Sequence, residues 1–376
     1  MGATTQTRAS WTGGAGVGGE TMNGSIGPAL ILAFALTGWG PAAAGENFPA
    51  ERFDALLTGY AETEKLGFVA LVAQGDRVVF REAYGSANRK QGLPNREDTA
   101  FDIGSISKTF TAAAIYRLVG AERLSVEDTL GKHFPDAPDD KRKITIDQVL
   151  HHTAGLVQYH DRRGDFEVMS RDLALERTFG APLQHEPGTA YAYSNAGYTL
   201  LAILVENITG RPFRDYCREQ FFEPLGMKRT GFYGDRELWA EDHVATAYGD
   251  SKEGKNSPWH WRKDNIWAVI GNAGIVSTAQ DMLRWALERE RLFPEPDPPA
   301  GLGKKRRFSQ GWFLALRENT GLQVFHGGAS DKGFIAMVRS YPEHDTTLVL
   351  LSNTFKGKKP HIRSHMDEIE DVLFGH

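Results

Sequence analysis

The 376-residue sequence contains a single cysteine, Cys217. One thiol cannot form an internal disulfide, a cysteine-based zinc site or an iron–sulfur cluster. Because Cys217 is also far from the start of the chain, it cannot carry the lipid of an exported lipoprotein. The sequence shows no metal or cofactor motif, and we expect packing alone to stabilise the fold.

The sequence also lacks a large excess of either positive or negative charge. The chain has 43 Lys and Arg against 48 Asp and Glu, a formal net charge of −5, and no long basic run. Nucleic acid is therefore not an expected partner. The short cluster KKRR at residues 304–307 follows a proline-rich stretch and is expected to be a solvated loop. With 41% hydrophobic and 24% charged residues, the composition excludes a disordered chain, a collagen and a coiled coil.

Long apolar runs are confined to the first 45 residues. Residues 1–19 are rich in Gly, Thr, Ala and Ser without apolar periodicity, which predicts a disordered extension. Residues 26–36, IGPALILAFAL, precede the small residues 42–44, an arrangement typical of a signal peptide with an Ala-x-Ala cleavage site. No Lys or Arg lies between Met22 and the apolar run, so an uncleaved anchor is the alternative. We predict a leader over residues 1–45, a secreted or periplasmic protein, and a body with no membrane span.

The remaining sequence predicts helices and strands in a definite order. Residues 52–64 have the apolar spacing of a helix, and residues 68–80 read as a β-hairpin around a Gly-Asp turn. Three helix starts mark the long middle segment, at Ser125, Thr145 and Ser277, of which the last two fit the capping box. The C-terminal part predicts strands and then an amphipathic helix, over residues 322–325, 333–339, 346–351 and 361–374.

This order is typical of an α+β fold. We predict an antiparallel sheet built from both chain ends, flanked by helices, with a large inserted, mainly helical subdomain. After the leader, a single domain is expected over residues 46–376. Residues 46–108 and 308–376 would form its sheet half, and residues 109–307 its mainly helical half. The polar stretches 249–265 and 294–307 are predicted surface loops.

A first chemical motif lies in residues 101–108, FDIGSISK, which lead into a predicted helix. Residues three apart share a helix face, so Lys108 can reach Ser105. Serine is a weak nucleophile that needs a base, and a buried lysine with a lowered pKa can serve. Because Ser-x-x-Lys also occurs by chance roughly once in a chain of this length, the alternative is a serine near a helix N-terminus.

A second motif lies in residues 187–198, PGTAYAYSNAGY, before a helix predicted to begin near Asn195 and to run to Gly210. Tyr193 and Asn195 are expected on one side of this loop. A phenol hydroxyl and a carboxamide can relay a proton and hold a substrate amide. The alternative is a packed Tyr193 beside Asn195 as the N-cap residue.

The third motif is FHGGA at residues 325–329, at the end of a predicted strand. Two glycines allow a substrate backbone to approach closely and leave an N–H that can stabilise an oxyanion. The alternative is a bulge at Gly327 and Gly328 beside a surface His326.

The order Ser-x-x-Lys, Tyr-Ser-Asn, His-Gly-Gly resembles the serine β-lactamase and penicillin-binding D,D-peptidase superfamily, specifically its class C-like branch. The resemblance covers most of residues 48–374. Three further stretches are similar to the family: residues 148–156 (QVLHHTAGL), 224–227 (PLGM) and 271–282 (GNAGIVSTAQDM). The resemblance implies the β-lactamase/transpeptidase fold and a catalytic role for the single domain.

The resemblance also implies roles for individual residues. Ser105 would be the acylated nucleophile, Lys108 its base, and Tyr193 the relay that protonates the leaving group and later activates water. The backbone N–H groups of Ser105 and Ala329 would form the oxyanion hole. The implied substrate-binding residues are Asn195, which would hold the substrate amide or Lys108, and His326, Gly327 and Gly328.

Two departures from the family pattern bear on the substrate. His326 stands where β-lactamases usually have lysine, and histidine is only partly charged near neutrality. Members with histidine there are often D,D-carboxypeptidases, D-amino-acid peptidases or esterases. The class A glutamate that activates water has no counterpart, which fits deacylation assisted by tyrosine. The implied activity is hydrolysis of a small ester, a D-amino-acid amide or peptide, or a β-lactam, in that order, with no prediction of oligomeric state.

Other functions are less well supported by the sequence. The absence of Gly-x-Ser-x-Gly argues against an α/β-hydrolase. His151, His152 and His160 suggest a metal site, but His-Glu-x-x-His is absent and a structural use is expected. The alternative of a different class is a catalytically inactive family member that acts as a binding or regulatory module. The intact Ser-x-x-Lys and Tyr-Ser-Asn motifs argue against it.

Overall fold

A computed structural model describes residues 48–162, 164, 167–249, 266–292, 307–330, 333–355 and 361–375. The predicted leader lies outside these residues, as do nearly all of the two predicted surface loops. The predictions made for them, including export and cleavage, stay predictions. Within the described ranges, no helix is both long enough and apolar enough to cross a membrane.

Helices occur along most of the described chain. They are α1 (Ala50–Thr63), α2 (Ser107–Gly120), α3 (Leu130–His133), α4 (Ile146–Leu150), α5 (Arg171–Gly180), α6 (Asn195–Thr209), α7 (Phe213–Cys217), α8 (Ala279–Leu292) and α9 (Met366–Phe374). The amphipathic C-terminal segment begins with a short 3₁₀ turn, Ile362–His365, before α9.

The strands are concentrated at the two ends of the chain. They are β1 (Phe68–Gln74), β2 (Arg77–Tyr84), β3 (Ser86–Asn88), β4 (Leu93–Pro94), β5 (Phe101–Asp102), β6 (Gly231–Phe232), β7 (Ile275–Ser277), β8 (Arg307–Ser309), β9 (Trp312–Arg317), β10 (Gly321–Ala329), β11 (Ile335–Tyr341) and β12 (Thr346–Ser352). The main sheet has the order β2-β1-β12-β11-β10-β9-β8, and its neighbouring strands are antiparallel.

The N-terminal hairpin joins the C-terminal strands through one pairing. β1 pairs with β12 from Phe68 opposite Ser352 to Gln74 opposite Thr346. The turn between β1 and β2 contains Gly75 at φ +57°, a left-handed conformation that favours glycine. The sheet is thus built from both chain ends, and the predicted α+β architecture is confirmed.

The main sheet is buried on both faces. Alternate residues of β1 point to opposite sides. Phe68 and Val72 pack in a cluster with residues of α1 and α9. Val69 and Leu71 belong to a larger cluster, which includes residues of α2, α6 and α8. The helical segment between β2 and β8 therefore shares its core with one face of the sheet, the face on which the Ser105 segment lies.

Two of the predicted helix starts differ from the structure. Thr145 caps α4 with the expected capping box. No helix begins at Ser125, because the Asp128 carboxylate accepts the Ser125 N–H at 3.1 Å and closes a turn instead. At the start of α8, the Thr278 hydroxyl accepts the Asp281 N–H at 3.3 Å. Ser277 does not cap the helix, and its hydroxyl contacts that of Thr230 instead.

The packing around α2 gives a test of the core. Phe110 is fully buried, and its ring stacks on Trp285 with centroids 3.9 Å apart. We expect Phe110→Ala to lower the free energy of unfolding by about 3–5 kcal/mol through lost burial and a cavity. Leu316→Ala, at a side chain that is 64% exposed, should change it by less than about 0.5 kcal/mol. Urea unfolding measures both, and equal effects of the two variants would contradict this packing.

Candidate active site

The nucleophile candidate lies on a tight connection between a strand and a helix. β5 ends at Asp102, residues Gly104–Ile106 form a 3₁₀ turn, and α2 begins at Ser107. Gly104 has φ +51°, and a Cβ added there would lie 2.8 Å from the Ala329 nitrogen. The sequence needs glycine at this position for both reasons, and the turn leaves Ser105 only partly buried.

Lys108 joins this turn to the helical half. Its side chain is fully buried, and Nζ donates hydrogen bonds to Ser105 Oγ at 3.1 Å and to the Asn272 carbonyl oxygen at 2.7 Å. Because both acceptors are neutral, they orient the amine without the attraction of a carboxylate. The amine is thus directed at the hydroxyl whose proton it would take.

Asn272 was not assigned a role from the sequence, although residues 271–282 were noted as similar to the family. Its side-chain amide donates to Thr199 Oγ1 at 2.8 Å and to the Ala268 carbonyl at 3.0 Å. These bonds hold the backbone that receives Lys108. Sequence reasoning missed this residue because its contribution is a peptide carbonyl, which every residue type carries.

Tyr193 lies beside the amine, with its ring centroid 4.9 Å from Lys108 Nζ. The following residue, Ser194, is the N-cap of α6, since its Oγ accepts the Gly197 N–H at 2.8 Å. The alternative with Asn195 as N-cap is therefore wrong, and Asn195 is the first helical residue. The helix ends before Gly210, as expected, with this glycine at φ +70°.

The side chain of Asn195 is available for chemistry. Its backbone N–H donates to the Gln158 carbonyl at 2.8 Å. Its Oδ1 is buried and makes no hydrogen bond within the described residues. A buried carbonyl oxygen without a donor favours binding of an N–H group from outside, which is what the sequence-based role in holding a substrate amide requires.

His152 contacts the loop that carries Tyr193 and stabilises it. Its Nδ1 accepts the Ser194 N–H at 3.1 Å, and its ring lies 4.4 Å from that of Tyr193. Burial, and secondarily the charge of Lys108, hold the pKa of His152 well below its ordinary value. The imidazole is therefore neutral at pH 7 and does not place a positive charge beside the lysine.

The third motif lies on β10, and its residues alternate between the faces of the sheet. A Cβ added to Gly328 would overlap the Ile103 carbonyl and lie 3.1 Å from the Ser105 nitrogen. A Cβ added to Gly327 would instead meet the Arg363 guanidinium, on the opposite face. Gly328 and Ala329 thus bring their backbone against the Ser105 turn, whereas Gly327 faces away from it.

His326 is buried rather than on the surface, so the surface alternative is wrong. Its side chain lies on the same face as Gly328, and its Nδ1 contacts the Gly327 carbonyl oxygen at 2.9 Å. The rings of Phe308 and Phe313 lie 6.0 and 5.2 Å from its own. The side chain at this position is therefore packed among aromatic rings.

The other two histidines considered as metal ligands, His151 and His160, make structural contacts. His151 pairs with Asp147 at 3.0 Å, and His160 Nε2 contacts the Trp267 carbonyl at 3.0 Å. In the part of the chain that the structure describes, no group of three or more potential ligands could hold a metal ion.

A serine hydroxyl that is hydrogen-bonded to a buried lysine, next to the backbone of Gly328 and Ala329, is the arrangement of a serine hydrolase. The chain belongs to the beta-lactamase family, whose model matches residues 53–370. The class C-like resemblance found in the motifs is thereby confirmed at the level of the superfamily.

Known proteins are similar to most of the chain. Penicillin-binding protein 4* of Bacillus subtilis (strain 168) is 26% identical over 346 residues, 85% of this chain and 75% of that protein. Esterase EstB of Burkholderia gladioli is 29% identical over 283 residues, 65% of this chain and 71% of that protein. A class C beta-lactamase structure matches with a TM-score of 0.72 at 17% identity, covering 88% of this chain and 98% of that chain. This likeness shows the shared fold.

The two glycines of β10 give a matched test of the site. We expect Gly328→Ala to lower kcat/KM for any substrate by at least about 10²-fold, because its Cβ must displace the turn that carries Ser105. Gly327→Ala should stay within about threefold, since the flexible Arg363 side chain can move aside. Steady-state kinetics with circular dichroism as a folding control measures both. Similar activities for the two variants would refute the proposed close approach of β10 to the turn.

Proposed function

We propose that the protein hydrolyses a small ester through an acyl-enzyme formed at Ser105. The observation that carries the proposal is the 3.1 Å hydrogen bond between Lys108 Nζ and Ser105 Oγ, beside the Ser105 and Ala329 backbone. Nucleophile, base and oxyanion donors are the three requirements of acyl transfer at a serine.

In acylation, Ser105 Oγ attacks the ester carbonyl carbon while its proton passes to Lys108. The carbonyl oxygen becomes an oxyanion, which the N–H groups of Ser105 and Ala329 stabilise. The tetrahedral intermediate collapses as the bond to the leaving alcohol breaks. Tyr193 hands the alkoxide a proton that Lys108 had received, so the alcohol departs neutral and the acyl group stays on Ser105.

Deacylation repeats these steps with water as the nucleophile. As a water molecule attacks the acyl carbonyl, Tyr193 takes a proton from it and passes its own phenol proton to Lys108, and the same two N–H groups stabilise the second oxyanion. Ser105 Oγ leaves and regains its proton through Lys108. The acid is released and the free enzyme is restored.

His326 favours an ester over a substrate with a fixed carboxylate. Its imidazole packs among Phe308 and Phe313, and it stands where β-lactamases usually have lysine. A β-lactam or a peptide carboxylate needs a cation at this place for full binding energy, and an uncharged ester does not. The esterase among the relatives supports this ranking.

A D-amino-acid amide or peptide is the second candidate. Asn195 favours it, because its buried Oδ1 can accept an amide N–H. The penicillin-binding protein among the relatives is consistent with this alternative. A β-lactam ranks third. The predicted leader is the basis for the further proposal that the enzyme acts in the periplasm or outside the cell.

The assigned roles predict a pattern of kinetic defects. We expect hydrolysis of p-nitrophenyl acetate or butyrate by the wild-type chain, and losses of at least about 10²-fold in kcat for Lys108→Ala and Tyr193→Phe. Tyr191→Phe removes a hydroxyl from the same loop at a more exposed position and should leave kcat within about twofold. Wild-type turnover by Lys108→Ala would exclude lysine as the base.

The substrate ranking is tested by comparing three compounds under identical conditions. We expect kcat/KM to fall from a short p-nitrophenyl ester to a D-Ala-D-Ala peptide to a chromogenic cephalosporin. His326→Lys supplies the missing cation and should raise kcat/KM for the cephalosporin relative to the ester by about tenfold. A wild-type preference for the cephalosporin would contradict the ranking. Binding without turnover of all three would favour an inactive binding module.

A further inference from the structure

Asp102 is a buried carboxyl group three residues before the candidate nucleophile, and the mechanism above does not use it. Its side chain is 1% exposed at the end of β5. Oδ1 accepts the Gly104 N–H at 2.8 Å, and Oδ2 accepts the Tyr233 hydroxyl at 2.8 Å. The buried Ser330 hydroxyl is close enough to lower the pKa of the carboxyl but makes no hydrogen bond of normal geometry.

Two of these partners stand next to the oxyanion donors. Gly104 directly precedes Ser105, and Ser330 directly follows Ala329. The two segments meet at the backbone, where a Cβ on Gly104 would lie 2.8 Å from the Ala329 nitrogen. One carboxyl group therefore faces both chain segments that carry the N–H groups of the oxyanion hole.

We propose that the ionised Asp102 carboxylate is a positioning residue that holds the Ser105 and Ala329 N–H groups in the geometry needed to stabilise the oxyanion. This inference rests on the proposed function. Asp102 is not placed to touch the substrate, and it acts through Gly104, whose backbone lies against Ala329. Its loss should therefore reduce kcat, which depends on the transition state, more than it changes KM.

The surroundings of the carboxyl match its ionised form. A carboxylate only accepts hydrogen bonds, and both groups that donate to Asp102, the Gly104 N–H and the Tyr233 O–H, find an acceptor in it. A protonated carboxyl has lost the negative charge that strengthens these bonds, and the Gly104 N–H, which can only donate, is then held more weakly. Protonation of Asp102 should thus loosen the turn that contains Gly104 and Ser105.

The charge of Asp102 changes in an accessible pH range. Burial raises the pKa of its carboxyl to about 6, against the lowering effects of Gly104, Tyr233 and Ser330. Tyr233 is the titratable side chain that faces it, from the turn after β6, and the backbone of β7 pairs with β5 beside it. The positioning effect should be present above about pH 7 and lost below about pH 5.

The contribution of Asp102 to folding stability should change with pH in the direction opposite to its effect on activity. A raised pKa in the folded state means that Asp102 favours folding below its unfolded pKa of 3.8 and loses this contribution as pH rises through about 6. The neutral Asp102→Asn variant avoids the cost of a buried charge and can direct its own amide at Tyr233 and Ser330. We expect its melting temperature at pH 8 to equal or exceed that of the wild type, although its activity is lower.

The test compares Asp102→Asn with the wild type from pH 5 to pH 8, using the p-nitrophenyl ester. The ratio of wild-type to variant kcat should rise from about 1 at pH 5 to about 10 or more at pH 8, with KM within about threefold. Asp281→Asn is the matched control, since Asp281 is 2% exposed and burial raises the pKa of its carboxyl, but its bonds go to Arg229, Thr230 and Arg284. Its ratio should not change with pH.

The outcomes separate the inference from the proposed function. A wild type without ester hydrolysis contradicts the proposed function itself. An active wild type with a pH-independent ratio for Asp102→Asn overturns the positioning role alone. The same follows if Asp102→Asn matches the wild type at pH 8, or if it loses activity together with melting temperature, because a structural role predicts that loss.

Discussion

The site depends on the close contact between the end of β10 and the turn that carries Ser105. Gly104 and Gly328 permit this contact, since a Cβ on either would collide with the backbone of the other segment. The same approach brings Gly328 next to the Ser105 nitrogen and Gly104 next to the Ala329 nitrogen. Because peptide groups make the contact, the N–H groups of Ser105 and Ala329 belong to backbone segments that pack directly against each other.

The helical half supplies the groups that surround the Lys108 amine. Lys108 lies at the boundary and donates to Ser105 on one side and to the Asn272 carbonyl on the other. Tyr193 approaches from the start of α6, supported by His152. The Lys108 amine is thus enclosed between two parts of the chain that share one apolar core. A shift of either half would change the distance between lysine and serine.

Sequence periodicity predicted the parts of this structure that local patterns specify. The N-terminal hairpin and strands β10 to β12 were found from their apolar runs, and Ser105 and Lys108 from their spacing. Strand β9 was missed because residues 312–317, WFLALR, carry no regular alternation, and β8 because it has only three residues, Arg307–Ser309. Asp102 and Asn272 could not be identified because tertiary contacts define their roles: Tyr233 is 131 residues from Asp102, and Asn272 is 164 from Lys108.

The central claim is that Ser105 is the nucleophile, and covalent labelling tests it most directly. A fluorophosphonate probe should modify one residue per chain, and peptide mass spectrometry should place the adduct on the peptide containing Ser105. The Ser105→Ala variant should remain unlabelled. An adduct at another side chain, or a wild type that hydrolyses the ester while Ser105 stays unmodified, would contradict the account.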